Sequence, residues 1–394
     1  MDFNYSSLLN YYQEQNFNPV PINVEEKSLW DDHISKRQNL YQRHLMIPVP
    51  FFNNRSIIEF GCNSGENALY LASLEAKLTL VEPNDQVLSR LKSGFKKFGF
   101  ERRIKALVNK DIAGFESDTF YDVIIAECFL NQLSNGEEMF LKICKFLKPG
   151  GLGIISFDDR YGSFLEVVRQ LVLKRICQLK DVNGPYSEDS LNLAKSLYGA
   201  DFKKINASRP FKAWWKDVLV SPFVSWTYLW TYQQFISLLN KAGCEFYSSS
   251  PKWSSFDHFS WYKNVPSTKN RHQQLLEDWY KFFPFFLSGI PCFREEVKSA
   301  TSDIVEGVSK LMKMISEYID NKVSINTLLY PRELDNYLAN NKKTELIRFN
   351  TEIKTIFNGL KSDNIDEIIS SYHNAEYVRT LWGTPCHYIC FMKA

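Results

Sequence analysis

Four short, almost uninterrupted apolar runs alternate with helical stretches early in the chain, and this rhythm constrains the fold more than any other feature. The runs are "SIIEF" (56–60), "KLTLVE" (77–82), "IKALVN" (104–109) and "DVIIAE" (122–127). Strands buried on both faces read as continuous hydrophobic runs, whereas strands with one wet face alternate. A helical segment, "NGEEMFLKICKFL", comes next, closed by "KPGG" ahead of a fifth run, "LGIISF" (152–157). Proline and glycine there are expected to stop the helix. Repeated strand–helix units give an α/β protein built on a parallel sheet with right-handed crossovers.

The rhythm breaks at Asp158. A long helical pattern, "GSFLEVVRQLVLKRICQL", leads into a loop-rich, aromatic stretch, and "TYQQFISLLNKAGCEFYSSS" (231–250) again reads helix, glycine stop, strand. Helical patterns fill most of the remainder, which ends in the β-like run "HYICFMK" (387–393). At 394 residues there is enough chain for more than one domain. The expected organisation is an N-terminal helical cap (1–50), a sheet core (51–160), an aromatic-rich lid (161–230) and a core helix with a sixth strand (231–250). A helical insertion (251–383) and a final core strand (384–394) complete it.

The segment "IIEFGCNSGENALYLA" (57–72) joins the first strand to the first helix. Gly61 and Gly65 bracket the turn, in a chain with only 17 glycines. Such a turn needs positive φ, or no side chain, so that backbone N–H groups can approach a ligand. Asn63 stands where another glycine is expected, and asparagine is among the few residues that tolerate the left-handed region. Glu82 closes the second strand, where an acid can accept hydrogen bonds from both hydroxyls of a ribose. The dinucleotide pattern G-x-G-x-x-G would need glycine where Glu66 stands, and a carboxylate there repels pyrophosphate.

The spacing E-x-G-x-G-x-G with one exchange resembles the first motif of class I S-adenosylmethionine-dependent methyltransferases. The resemblance runs from about Ser56 to Phe157. It includes "LVEPN" at the second strand, "KDI" after the third, "YDVIIAECFLNQL" at the fourth and "LKPGGLGIISF" at the fifth. It implies a doubly wound, Rossmann-like seven-stranded sheet with a mostly helical insertion or cap. The last strand then lies antiparallel between the fifth and sixth, a place that "HYICFMK" suits. It further implies S-adenosyl-L-methionine as cofactor and S-adenosyl-L-homocysteine as product. By position, Glu59 would orient the turn and help place the cofactor's amino group, with Gly61, Asn63 and Gly65 allowing close approach. Glu82 with Pro83 would bind the ribose, Asp111 and Ile112 would flank the adenine, and Glu127 with Cys128 would border the methionine end. In many similar enzymes an N-terminal helix covers that end; here Arg37 and Tyr41, four residues apart and followed by His44, share one helical face.

Methyl transfer from a sulfonium asks the protein mainly to position the nucleophile, and a base is needed only for an acceptor such as a hydroxyl. No histidine follows the fourth strand, where Asn131 and Gln132 stand instead. The candidate catalytic residues are Asp158, Asp159 and Tyr161 just past the fifth strand, and His258 within "SSFDHFSWYK". A loop turn in "DDRYG" and a packed histidine are the competing readings. Six of the nine tryptophans lie between Trp214 and Trp261. They either fill a core or line a lid that stacks on a sugar, a ring or a cationic amine.

The expected partner is a small-molecule acceptor carrying a hydroxyl or amine, of sugar-like or secondary-metabolite type. A net charge of +2 argues against a dedicated nucleic-acid binder. No run has membrane-spanning length, and the polar N-terminus does not read as a signal peptide. Eight scattered cysteines without a C-x-x-C pair give neither a disulfide framework nor a metal site, and point to the cytoplasm. The helical insertion offers a face for a homodimer. Three alternatives stay open: a methyltransferase of RNA or protein, an aminopropyl transferase, and a non-catalytic binding or assembly protein on the same fold.

Overall fold

Each of the five apolar runs forms a strand, and the two later ones complete a single sheet. The computed structural model describes residues 5–15, 26–205, 207, 209–253, 263, 267–291 and 298–394. The strands are β1 (Ser56–Phe60), β2 (Lys77–Val81), β3 (Ile104–Val108), β4 (Tyr121–Glu127), β5 (Leu147–Asp158), β6 (Cys244–Ser250) and β7 (Cys386–Lys393). The helices begin with α1 (Tyr5–Glu14), α2 (Lys27–Asn39), α3 (Glu66–Ser73), α4 (Asp85–Lys97) and α5 (Gly136–Lys145). They continue with α6 (Phe164–Leu179), α7 (Glu188–Phe202), α8 (Phe211–Trp214), α9 (Tyr232–Ala242) and α10 (Thr268–Ser288). The last are α11 (Ser302–Ile319), α12 (Arg332–Ala339), α13 (Thr344–Gly359), α14 (Ile365–His373) and α15 (Glu376–Thr380).

The sheet order is β3-β2-β1-β4-β5-β7-β6. β1 pairs in parallel with β2 and β4, β2 with β3, and β4 with β5. β7 runs antiparallel to β6, with Phe246 opposite Phe391. The order turns back between β1 and β4, and in open α/β sheets such a point leaves a crevice at the carboxyl ends of the strands. Glu59, Gly61 and Glu127 come from those two strand ends.

One expectation is corrected here. The helix ends at Lys145, before "KPGG", and β5 already begins at Leu147. Pro149 and Gly150 sit in a bulge: Tyr121 pairs with Leu147, but Val123 pairs with Leu152. Gly150 takes φ +71°, which lets the extra residues loop out while the strand resumes.

The described residues divide into two units, 1–157 with 232–276 and 387–394, and 158–231 with 277–386. In the first, one sheet face buries Ile57, Leu78, Leu80, Val123, Ile125 and Ile154 against α3 and α4 through Leu69, Leu91 and Phe95. In the second, α6 is buried along nearly its whole circumference, from Phe164 to Ile176. A helix buried on nearly every side lies at the centre of its unit, and α7, α11 and α14 pack on it; its buried Arg169 and Arg175 are held by the Leu381 carbonyl and by Asp363 with the Ser362 carbonyl.

Candidate functional site

The glycine turn is held by positive φ at three alternate positions: Gly61 at +68°, Asn63 at +47° and Gly65 at +84°. Asn63 therefore takes the left-handed conformation its type permits. A Cβ on Gly61 would stand 2.9 Å from the Phe129 ring, and one on Gly65 2.9 Å from Leu91. Both glycines are thus required twice, by φ and by the side chains packed over them. Gly65 caps α3, whose first residue is Glu66.

Four carboxylates gather at this end of the sheet, and three have dedicated partners. Glu82 accepts from the Asn63 N–H (2.7 Å) and the Asn84 N–H (2.9 Å), tying the glycine turn to the end of β2. Glu66 accepts from the Ser64 hydroxyl (2.7 and 2.8 Å) and from Arg90 (3.1 Å). Glu127 is bound by both terminal nitrogens of Arg37 (2.5 and 2.9 Å), by Asn67 (3.1 Å) and by the Tyr388 hydroxyl (3.2 Å). The fourth, Glu59, is 3% exposed, and no donor among the described residues reaches its Oε2. Burial pushes its carboxyl up to about 8, with Glu127, Glu82 and Glu66 adding to the rise and Arg37 opposing it. The Asn63 Oδ1 is likewise buried and without a donor among the described residues.

Arg37 also donates to the Tyr41 hydroxyl (2.5 Å) and lies over the Tyr41 ring at 4.9 Å. It leaves α2 just before Tyr41, which sits in one wide turn of π-helix (Leu40–His44). Burial drives the Tyr41 hydroxyl up. His44 is less buried than these two; its partial burial, with the neighbouring charge of Lys252 adding to it, holds it below its ordinary range. Cys128 follows β4 at φ +59°, with its Sγ 3.0 Å from the Ser156 hydroxyl. The Asp111 carboxylate accepts from the Gly114 N–H (2.6 Å), closing the turn after β3 over buried Ile112. Pro83 lends its carbonyl to the Asn109 amide at 3.1 Å. Arg37, Tyr41, Glu59, Gly61, Asn63, Gly65, Glu82, Pro83, Asp111, Ile112, Glu127 and Cys128 all lie in the first unit.

Asp159 and Tyr161 belong to the second unit. Asp159 is wholly enclosed, and its Oδ1 accepts from the N–H groups of Tyr161 (3.1 Å) and Gly162 (2.7 Å). Burial raises its carboxyl to about 7. Tyr161 packs against Trp279 (5.4 Å) and Phe283 (5.1 Å), and burial pushes its hydroxyl up to about 12. Asp158, the last residue of β5, is half-buried. His258 and Trp261 lie outside the described residues. Trp214 meets Phe202 (5.2 Å), Trp382 (5.3 Å) and Phe211 (5.5 Å), so for this tryptophan the core reading holds.

Sequence reasoning missed Asn67, Asn109, Tyr388 and Glu166. Asn67, one residue into the helix after the turn, could have been found from its place. Tyr388 could not: it reaches Glu127 across 261 residues of chain. Glu166, in the first turn of α6, is buried, and burial together with Asp158 raises its carboxyl to about 7.

A family model described as a methyltransferase domain matches residues 33–249, more than half of the chain. The chain belongs to this methyltransferase-domain family. The matched span holds every described member of the candidate site except Tyr388. Among curated relatives, the ubiquinone biosynthesis O-methyltransferase of Rickettsia akari is 28% identical over 121 residues, covering 30% of this chain and 44% of that protein. The arsenite methyltransferase of Mus musculus is 29% identical over 164 residues, covering 38% and 41%. The chain thus spans less than half the length of these two relatives. A solved S-adenosylmethionine-dependent methyltransferase from Clostridium acetobutylicum aligns at a TM-score of 0.27 and 17% identity, over 41% of this chain and 59% of that one. Among the described residues, no helix of this methyltransferase-domain chain is long and apolar enough to cross a membrane, and no group of three or more His, Cys, Asp or Glu could hold a metal ion.

Proposed function

We propose that the chain is an S-adenosylmethionine-dependent methyltransferase acting on a small-molecule hydroxyl or amine. The observation that carries this reading is the chemistry of the donor set: buried carboxylates, Glu82 and Glu59, at neighbouring strand ends around a left-handed glycine turn. In their ionised form these carboxylates only accept, and a ribose diol and an ammonium supply the donors. A dinucleotide would bring its pyrophosphate to the start of α3, where Glu66 stands. The unpartnered Oε2 of Glu59 and Oδ1 of Asn63 fit a ligand rich in N–H and O–H donors.

When bound, the cofactor supplies a methyl group already activated by a sulfonium. The chain's own part is to bind and orient. Glu82 would take the ribose hydroxyls while still holding the Asn63 N–H, so that ribose contact and turn shape are linked. Arg37 and Glu127 fix the N-terminal helix to the end of β4, near the place the family resemblance assigns to the methionine end. Asp111 and Ile112 would flank the adenine. For a hydroxyl acceptor a base must take a proton, and Asp158, half-buried at the end of β5, is the candidate. Two relatives carry arsenite and ubiquinone biosynthesis in their names, which suits a small acceptor, and a third is a protein-L-isoaspartate O-methyltransferase, which suits a protein one. Native mass spectrometry of the purified protein tests the reading. A mass increment matching S-adenosylmethionine or S-adenosylhomocysteine is expected; one matching a dinucleotide would overturn it.

A further inference from the structure

We propose that Cys144 and Cys244 form a redox pair, closing to a disulfide with hydrogen peroxide as oxidant and so clamping the end of α5 to the start of β6. Cys144 is the second-last residue of α5 and Cys244 the first of β6, both within the first unit. Because β5 runs parallel to β4, Cys144, just ahead of β5, lies at the opposite end of the sheet from Glu127. The pair is therefore independent of the ligand assigned under the proposed function.

The fold brings the two thiols together from distant parts of the sequence. The Cys144 thiol donates to the Cys244 sulfur, and the Cys244 thiol in turn reaches the Ala242 carbonyl at 3.6 Å. Other described cysteines meet hydroxyls instead: Cys128 that of Ser156, Cys177 that of Ser190 and Cys390 that of Ser248. Across the β6–β7 ladder, Cys244 stands opposite Lys393. The Lys393 ammonium donates to the Cys144 carbonyl (3.4 Å) and the Ala242 carbonyl (3.1 Å), at the C-terminal ends of α5 and α9. A lysine there satisfies helix carbonyls that lack an intrahelical donor, and it also sets a positive charge beside the two sulfurs. Both cysteines are enclosed, at 1% and 2% exposed, yet each has an exposed neighbour in the chain, Lys145 and Gly243. The pair thus lies one layer below the surface, where local opening admits a small oxidant.

The thiolate is the form that attacks peroxide. The Cys144 S–H, and then the charge of Lys393, hold the Cys244 thiol below its ordinary value against burial, whereas burial holds Cys144 well above its own. Cys244 therefore attacks first. Its sulfur bonds one peroxide oxygen, the O–O bond breaks, and the departing hydroxide takes the proton Cys244 released, giving water and a sulfenic acid. The Cys144 sulfur then attacks the Cys244 sulfur and expels hydroxide, which takes the Cys144 proton and leaves as a second water. The two thiols lose two electrons and two protons, and the peroxide is reduced to two waters. The sulfurs close from hydrogen-bond contact to about 2.05 Å, and the long loop between them is cross-linked, which restricts the unfolded chain.

The test treats the folded, fully reduced chain with increasing hydrogen peroxide, blocks the remaining thiols by alkylation and maps the unreduced digest by tandem mass spectrometry. A peptide joining Cys144 to Cys244 is expected as the first disulfide formed, with dithiothreitol restoring both thiols. In Cys144→Ser the reaction should stop at a Cys244 sulfenic acid that dimedone traps, and in Cys244→Ser the alkylating reagent should find Cys144 unoxidised. The wild-type map decides even where a variant folds poorly. The linked chain should also melt at a higher temperature than the reduced one, and dithiothreitol should reverse the shift. A linked peptide that appears only in denaturant, or both sulfurs oxidised to sulfinic or sulfonic acids with no linked peptide, overturns the proposal. A linked chain that melts with the reduced one overturns the clamp.

Discussion

Replacing Glu59 by glutamine should stabilise the ligand-free protein, and by an amount that grows with pH. The wild-type carboxyl is raised by burial from its ordinary 4.5 to about 8. A raised acid holds its proton more tightly in the folded state than in the unfolded one. Its penalty is therefore absent below about pH 4.5, accumulates as pH rises, and is complete above about pH 8. Each pH unit in that window costs about 1.4 kcal/mol, so the full penalty is about 4–5 kcal/mol, with about 3 kcal/mol present at pH 7. Glutamine keeps the shape and never ionises. Denaturant unfolding of both proteins without ligand, at several pH values from about 5 to 9, measures the difference. The expected result is near equality at the acid end and a widening advantage for the variant toward pH 8. A difference that stays flat with pH would refute the reasoning, because a packing effect alone does not titrate.

Glu82→Ala should lower both cofactor affinity and ligand-free stability, the latter by about 2–4 kcal/mol, since two backbone N–H groups lose their acceptor; parallel calorimetry and thermal melts check it. Arg37→Met should destabilise by about 3–5 kcal/mol by leaving Glu127 uncompensated, and adding Glu127→Gln should recover much of that, as a double-mutant cycle would measure. Gly61→Ala should cost about 1–3 kcal/mol in unfolding free energy, from its positive φ and from the displaced Phe129 ring. Truncation before Cys386 removes β7 from between β5 and β6 and should abolish both cofactor binding and cooperative unfolding, read by calorimetry and circular dichroism.

Local pattern made much of the sheet legible. The buried runs have no wet face, so their composition announces a parallel sheet, whereas the place of "HYICFMK", antiparallel between the fifth and sixth strands, came from the family resemblance and not from local pattern. The start of β5 was misread because a proline and glycines in a bulge look like a helix stop. At the candidate site, Gly61, Asn63 and Gly65 carry their conformation in their identity. Tyr388 and the burial of Asp159 do not: a tyrosine 261 residues from Glu127 gives no local signal. Asp159 looks like a loop acid until Tyr161 and Gly162 are seen to donate to it. Trp214 illustrates the remaining ambiguity, because an aromatic at helical spacing fits a lid as well as a core until its neighbours are known.

On the proposed function, the glycine turn and its carboxylates receive a nucleoside carrying an amino acid and not a dinucleotide. Calorimetric titration of the purified chain with S-adenosylhomocysteine and with NAD, side by side, tests it most directly. A saturable heat with S-adenosylhomocysteine that weakens in Glu82→Ala, and none with NAD, is the expected result. Saturable binding of NAD with no response to S-adenosylhomocysteine would contradict it.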